Sequence, residues 1–227
     1  MACGYKRFMR KRLDRRNKAR LTNFRPTVFA SNCSGGVMTH DLGLQFRSPT
    51  VNLFIRPSEY VKLLGNLYHY LFEAHFVAEP NAGYPVGLLD DIRVDFVHYQ
   101  SFDEAVAKWN DRLARVDLDN AFYIMTERDG CTYDDLVAFD ELPLRNKVVF
   151  VSKPMPEIAS SFYDPSFPVV GGELDVLSNY VSKLSGRRYL DAFDYVSFFN
   201  GNGLKGTADE KLDRRGGPDL EWSRYLG

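Results

Sequence analysis

The chain has 227 residues, 44% hydrophobic and 14% aromatic, with a formal net charge of −1. That is enough apolar material for one domain, or one domain with an appendage. Three widely spaced cysteines (Cys3, Cys33, Cys131) argue against a disulfide framework, the lack of CxxC or HExxH against a structural zinc site, and the lack of a run near 18 apolar residues against a membrane span.

Charge is unevenly spread. Nine of the 29 Lys and Arg and one of the 30 Asp and Glu lie in residues 1–20, which leaves +8 there and −9 elsewhere. A basic arm (1–24) therefore precedes an acidic body. Phe8, Met9, Leu13 and Leu21 make only a weak apolar stripe in it, so the arm is expected to add little to the core, and its removal to leave the fold intact. No nucleic-acid motif is present, and the acidic body would repel a phosphate backbone. An anionic membrane surface is the expected partner of residues 1–20, with a cytoplasmic protein held peripherally at the inner face.

Beyond the arm, strand-like and helix-like patterns alternate. "TVFASNC" (27–33) reads as a strand and "GGVMTHDLGL" (35–44) as a short helix. "TVNLFI" (50–55) reads as a second strand, and Pro57 opens a helix carried by Val61, Leu64, Tyr68 and Leu71. "AEPNAGYPVG" (78–87) reads as a loop, and "DIRVDFVHY" (91–99) as a half-buried strand. Ser101 and Glu104 form a capping box before a helix that buries Ala105, Trp109, Leu113 and Val116. "AFYIMT" (121–126) and "KVVFVS" (147–152) are strands around a helix at 131–142 capped by Thr132. Helical spacing returns at 173–184 and again at 189–199, and order is expected to fade over 201–227.

Alternating strands and helices predict an α/β domain over residues 25–200: a mostly parallel sheet with helices on both faces, a Rossmann-like three-layer arrangement. In such sheets ligands bind beyond the carboxyl ends of the strands. Those ends carry Ser31, Asn32 and Cys33, then His98 and Tyr99, then Arg128 and Asp129, then Lys153. Gly35-Gly36 would let the backbone approach a ligand, or would simply make a tight strand-to-helix turn. The spacing fits neither GxGxxG nor GxxxxGK[ST], so no cofactor is assigned, and no spacing demands a metal.

Cys33 sits where a helix N-terminus would lower its pKa, giving a nucleophile that alkylates faster than free cysteine, with His98 as its base. A buried, inert thiol is the bland alternative. Asp91 is a separate catalytic candidate, because a straight strand sets it roughly 20 Å from His98. Arg128 suits a phosphate or carboxylate, and Asp129 a sugar hydroxyl, a metal or simply a turn that caps the next helix.

The ordered blocks "SNCSGG", "LGLQFRSPTVNLF", "EYVKLLGNLYHYL", "YPVGLLDDIRVDFVHY", "EAVAKWNDR", "ERDGCT" and "LPLRNKVVFVSK" resemble the exopolysaccharide biosynthesis family catalogued as domain of unknown function 1919. The resemblance runs from about residue 25 to 200, although the family pattern usually has two Asn before the Cys where this chain has Ser31-Asn32. It implies an α/β protein of bacterial capsule, exopolysaccharide or lipooligosaccharide synthesis. The expected activity is transfer of a sugar or substituent to a glycan precursor. His98 would activate the acceptor, Arg128 and Lys153 would neutralise donor phosphate, and Gly35-Gly36 would approach the donor. The alternatives are a Cys33-dependent acyltransferase or hydrolase, and a non-catalytic glycan-binding accessory protein.

Overall fold

The computed structural model describes residues 2–80, 83–182, 184–204 and 206. In chain order the elements are α1 (Ala2–Arg20), β1 (Thr27–Ala30), α2 (Cys33–Asp41), α3 (Pro57–Gly65), α4 (Leu67–Phe72), β2 (Phe76–Glu79), β3 (Val86–Leu89) and β4 (Ile92–Asp95). They continue as α5 (Phe102–Leu113), β5 (Ala121–Thr126), α6 (Tyr133–Glu141), β6 (Lys147–Phe150), β7 (Ser161–Phe162), β8 (Val169–Val170), β9 (Glu173–Leu174), a 3-10 turn (Tyr189–Ala192) and α7 (Tyr195–Phe199).

The central sheet is parallel, in the order β1-β5-β6-β7. Its strands are apolar except at end positions (Thr27, Thr126, Lys147 and Ser161) because both faces are covered, and the two-residue period sends alternate side chains to two cores. Phe29, Tyr123, Met125 and Val149 pack against α3, α5 and α6. Val28, Ala30, Phe122, Ile124, Val148 and Phe150 pack against α2, the 3-10 turn and α7. Phe29 and Tyr123, directly opposite across the β1–β5 pair, stack with ring centroids 5.5 Å apart. The expected α/β layering is therefore present, in a Rossmann-like arrangement.

Four segments depart from expectation. Residues 50–55 are turns with one isolated bridge, Phe54–Asp95, although Leu53 and Ile55 are buried. Asn52 takes a left-handed φ of 61°, and Thr50 Oγ1 accepts the Ala30 amide, so a side chain meets part of β1's edge where a strand backbone would. Residues 78–87, expected as a loop, contribute to an antiparallel β2-β3-β4 sheet, so β4 is not part of the parallel sheet. The described residues of 173–184 form no helix: Gly171 and Gly172, both at positive φ, turn β8 into β9, and Val181 and Leu184 end up exposed. The last expected helix breaks at Phe193, and Asp194 caps a new start by accepting the Ser197 amide.

The basic arm is a docked helix, which corrects the expectation that it adds little packing. Arg10 is 5% exposed and pairs with Asp191 (2.6 Å), Asp41 (3.1 Å) and Asp14 (2.6 Å). Asn17 donates to the Tyr195 hydroxyl, and Arg20 pairs with Asp194. Gly186 lies so close that a Cβ there would sit 2.6 Å from the Arg10 nitrogen. The tail expected to lose order from residue 201 falls mostly outside the described residues.

Gly35 marks the tightest approach of α2 to the sheet. A Cβ on it would lie 2.7 Å from the Ala30 Cβ and 3.1 Å from Val28 Cγ1, both on fixed β1. Gly36 faces Asn52 and Val51 instead. Gly35 thus serves helix–sheet packing and Gly36 packing on the 51–52 turn, and neither lines the strand-end cavity. Gly35→Ala is expected to destabilise the protein by about 1–3 kcal/mol through overpacking, less a helix-propensity gain of up to about 1 kcal/mol. A melting temperature equal to or above wild type would contradict this.

Candidate functional site

β1 delivers three polar residues to the carboxyl edge of the sheet, and each does something different. The Ser31 amide donates to Ile124 and its carbonyl accepts from Ile55, so a residue 3% exposed is spent on extending the sheet. Asn32 is extended and caps α2, its side-chain oxygen accepting the Ser34 amide at 3.0 Å. Cys33 is thereby the first residue of α2.

The partner of Cys33 comes from 65 residues away. The Phe54–Asp95 bridge ties the end of β4 to the segment beside β1, and the chain then turns, the Tyr99 amide donating to the Phe96 carbonyl. This turn sets His98 Nε2 3.1 Å from Cys33 Sγ. The thiol and imidazole are within hydrogen-bond reach, the geometry of a nucleophile and its base.

Cys33 lines a cavity of ≈ 310 Å³. Asn32 and Ser34 come from the start of α2, Thr126, Arg128 and Asp129 from the end of β5, and Leu53, Phe54, Val97, Val176 and Leu177 supply apolar wall. It opens where a parallel sheet is expected to bind ligands. Thr126 is 2% exposed, and its hydroxyl is buried without a hydrogen-bond partner. Arg128 bonds Asp129 through Nε at 2.8 Å. Asp129 adopts φ 62°, and the amides of Asp129 and Gly130 donate to Glu173 at 2.9 and 3.1 Å. Glu173, from the segment expected to be helical, thus clamps the turn that carries Arg128.

The expected depression of the Cys33 pKa is not found. Burial pushes the thiol above its ordinary range, and it outweighs the opposing pull of Arg128 and of the backbone amide. At neutral pH Cys33 is therefore a thiol, its proton within reach of His98 Nε2.

The other sequence candidates lie elsewhere. Asp91 sits before β4, bound by Lys62 and by the Tyr70 hydroxyl (2.8 Å). The Tyr99 hydroxyl accepts from Arg112 at 2.6 Å, and its ring packs edge-on against Phe96. Lys153 is exposed and does not line the cavity, and neither do Ser31, Gly35 and Gly36. Asn32, Cys33, Arg128 and Asp129 do meet there. Thr126 and the 176–178 wall were missed, since no local pattern marks a strand's last threonine or a turn as part of a pocket.

The fold and site define a class: an α/β protein with a cysteine–histidine pair at a cavity beyond its parallel strands. The chain belongs to the family described as a domain of unknown function, DUF1919, whose model matches residues 4–200. It is 40% identical over 188 residues to a Haemophilus influenzae protein (strain ATCC 51907 / DSM 11121 / KW20 / Rd) described as uncharacterized, covering 83% of this chain and 90% of that protein. Among the described residues no helix is long and apolar enough to cross a membrane.

Proposed function

We propose that this protein is an acyltransferase or hydrolase that works through a Cys33 thioester, acting on a glycan precursor of surface-polysaccharide synthesis. The 3.1 Å contact between Cys33 Sγ and His98 Nε2 beside the strand-end cavity carries the reading. The glycan part rests on the family resemblance. A free thiol nucleophile suits a reducing compartment, and the cytoplasm is the proposed location.

In the first step Cys33 sulfur bonds to the carbonyl carbon of an acyl donor while His98 Nε2 takes the thiol proton. The bond from carbon to the leaving group breaks, and His98 passes that proton to the leaving group. In the second step a glycan hydroxyl, or water, attacks the thioester. His98 takes its proton, the carbon–sulfur bond breaks, and the proton returns to sulfur. Arg128 suits an anionic part of the donor, and the unpartnered Thr126 hydroxyl suits a polar atom of the bound acyl group.

The test uses p-nitrophenyl acetate and acetyl-coenzyme A as probes, with acid quenching and intact-mass measurement. The expected result is one acetyl adduct, mapped to Cys33 and unchanged in Cys131→Ala. Cys131 is a suitable control because burial, with help from Asp135, pushes its thiol up to about 12. Labelling that is spread over other residues or persists in Cys33→Ala would sink the proposal.

Direct transfer of a sugar with His98 as base is the second reading, favoured by the protonated state of Cys33. It expects no adduct, and a melting-temperature rise with nucleotide sugars. The displacement of Lys153, Gly35 and Gly36 from the cavity weakens it.

A further inference from the structure

We infer that the outward face of α1 docks this protein on an anionic lipid bilayer. The docked helix divides its basic residues by face. Arg10 and Arg20 turn inward to Asp191 and Asp194, whereas Arg7, Lys11, Arg12 and Arg15 occupy exposed positions. At 3.6 residues per turn, Phe8 falls at the pole of the outward face, flanked by Arg7, Lys11 and Arg15 on one side and Arg12 on the other. Phe8 is 63% exposed and Tyr5 55%. Large aromatic rings set among cations and turned to solvent suit the interface between headgroups and acyl chains.

A groove of ≈ 520 Å³ runs beside this face, lined by Tyr5, Met9, Arg12 and Leu184 among others. Leu184 is itself 62% exposed. The groove joins cationic and apolar walls, as a phospholipid headgroup and its glycerol require. Buried ion pairs hold α1 to the body, so the face is presented by a rigid element.

Charge segregation selects a bilayer over a nucleic acid. The sequence outside residues 1–20 sums to −9, so a long polyanion following the helix beyond its ends would meet like charge. A flat anionic surface meets the outward face alone.

The test uses the full chain with vesicles of phosphatidylcholine alone or mixed with phosphatidylglycerol. Sedimentation with the anionic vesicles at low ionic strength is expected, with release as salt shortens the screening length from about 30 Å at 0.01 M to about 10 Å at 0.1 M. Arg7→Gln/Lys11→Gln/Arg15→Gln should bind roughly 100-fold more weakly. Phe8→Ser should bind roughly 10-fold more weakly, because the ring's apolar area no longer leaves water. These positions are exposed, so both variants should melt with the wild type. Equal vesicle binding by wild type and the triple variant would overturn the inference. So would salt-sensitive binding of duplex DNA or RNA without vesicle binding.

Discussion

Cys33→Ala is expected to lower acyl transfer by about 10⁴-fold or more, because the covalent intermediate forms on the sulfur that lies within reach of His98. His98→Ala should lower acylation by about 10²–10⁴-fold, the usual worth of one positioned base. It should leave binding of the donor nearly unchanged, so kcat falls and KM does not. The raised thiol pKa adds a second readout. In the resting protein Cys33 should react with iodoacetamide at pH 7 more slowly than free cysteine, and the rate should climb only at higher pH than it does for free cysteine. A thiolate pair would show the opposite, fast and flat from pH 6 upward. Full activity in Cys33→Ala with loss in His98→Ala would move the chemistry to the direct-transfer reading. Full activity in both would remove the pair from the mechanism altogether.

Arg10→Met is expected to give the largest loss of stability from a single change. Burial opposes the Arg10 charge, but Asp191, Tyr195, Asp41 and Asp14 together hold the guanidinium cationic more firmly than in a free arginine. Methionine fills much of the same space and leaves two carboxylates, each 5% exposed at the side chain, without their main partner. Removing one member of a buried ion pair costs about 3–5 kcal/mol. Arg188 keeps a backbone bond to Asp191 at 2.6 Å and a side-chain bond to Asp41 at 3.2 Å, so the lower end applies. A loss of about 3 kcal/mol corresponds to a melting temperature lower by about 6–12 °C in a chain of this size. Adding Asp191→Asn should recover part of the loss, because one stranded charge is gone. A loss below about 1 kcal/mol would place Arg10 with ordinary surface pairs and undo the account of α1 as a locked helix.

Where the outcome depends on near neighbours in sequence, the residues were sufficient. β1, β5 and β6 read directly as apolar runs with one polar residue at an end (Thr27, Thr126, Lys147), because a strand covered on both faces keeps its middle positions apolar. Ser101 and Thr132 announced their helices, since a cap is a contract between residues three apart: Ser101 accepts the Glu104 amide, and Thr132 and Asp135 bond each other's backbone. The polar strand ends likewise placed Asn32, Cys33 and Arg128 at one edge of the sheet, where they line a common cavity.

Tertiary structure alone decided the rest. Leu174, Leu177, Val181 and Leu184 have helical spacing, yet the Gly171-Gly172 turn and the Glu173 bonds to the Asp129 loop hold the start of that segment extended. Arg10 has the composition of a solvated cation, and only Asp41 and Asp191, folded in from distant parts of the chain, make it a core residue. Cys33 was legible as a helix-start thiol, but its pKa direction was not, because burial is a property of what packs around it. The contact with His98 needed β4 to leave the parallel sheet and bridge Phe54. Local preference is set by a few neighbouring residues and survives in any fold. Which distant groups come to share one desolvated site depends on the packing of the whole chain, and that packing joins Cys33 to His98.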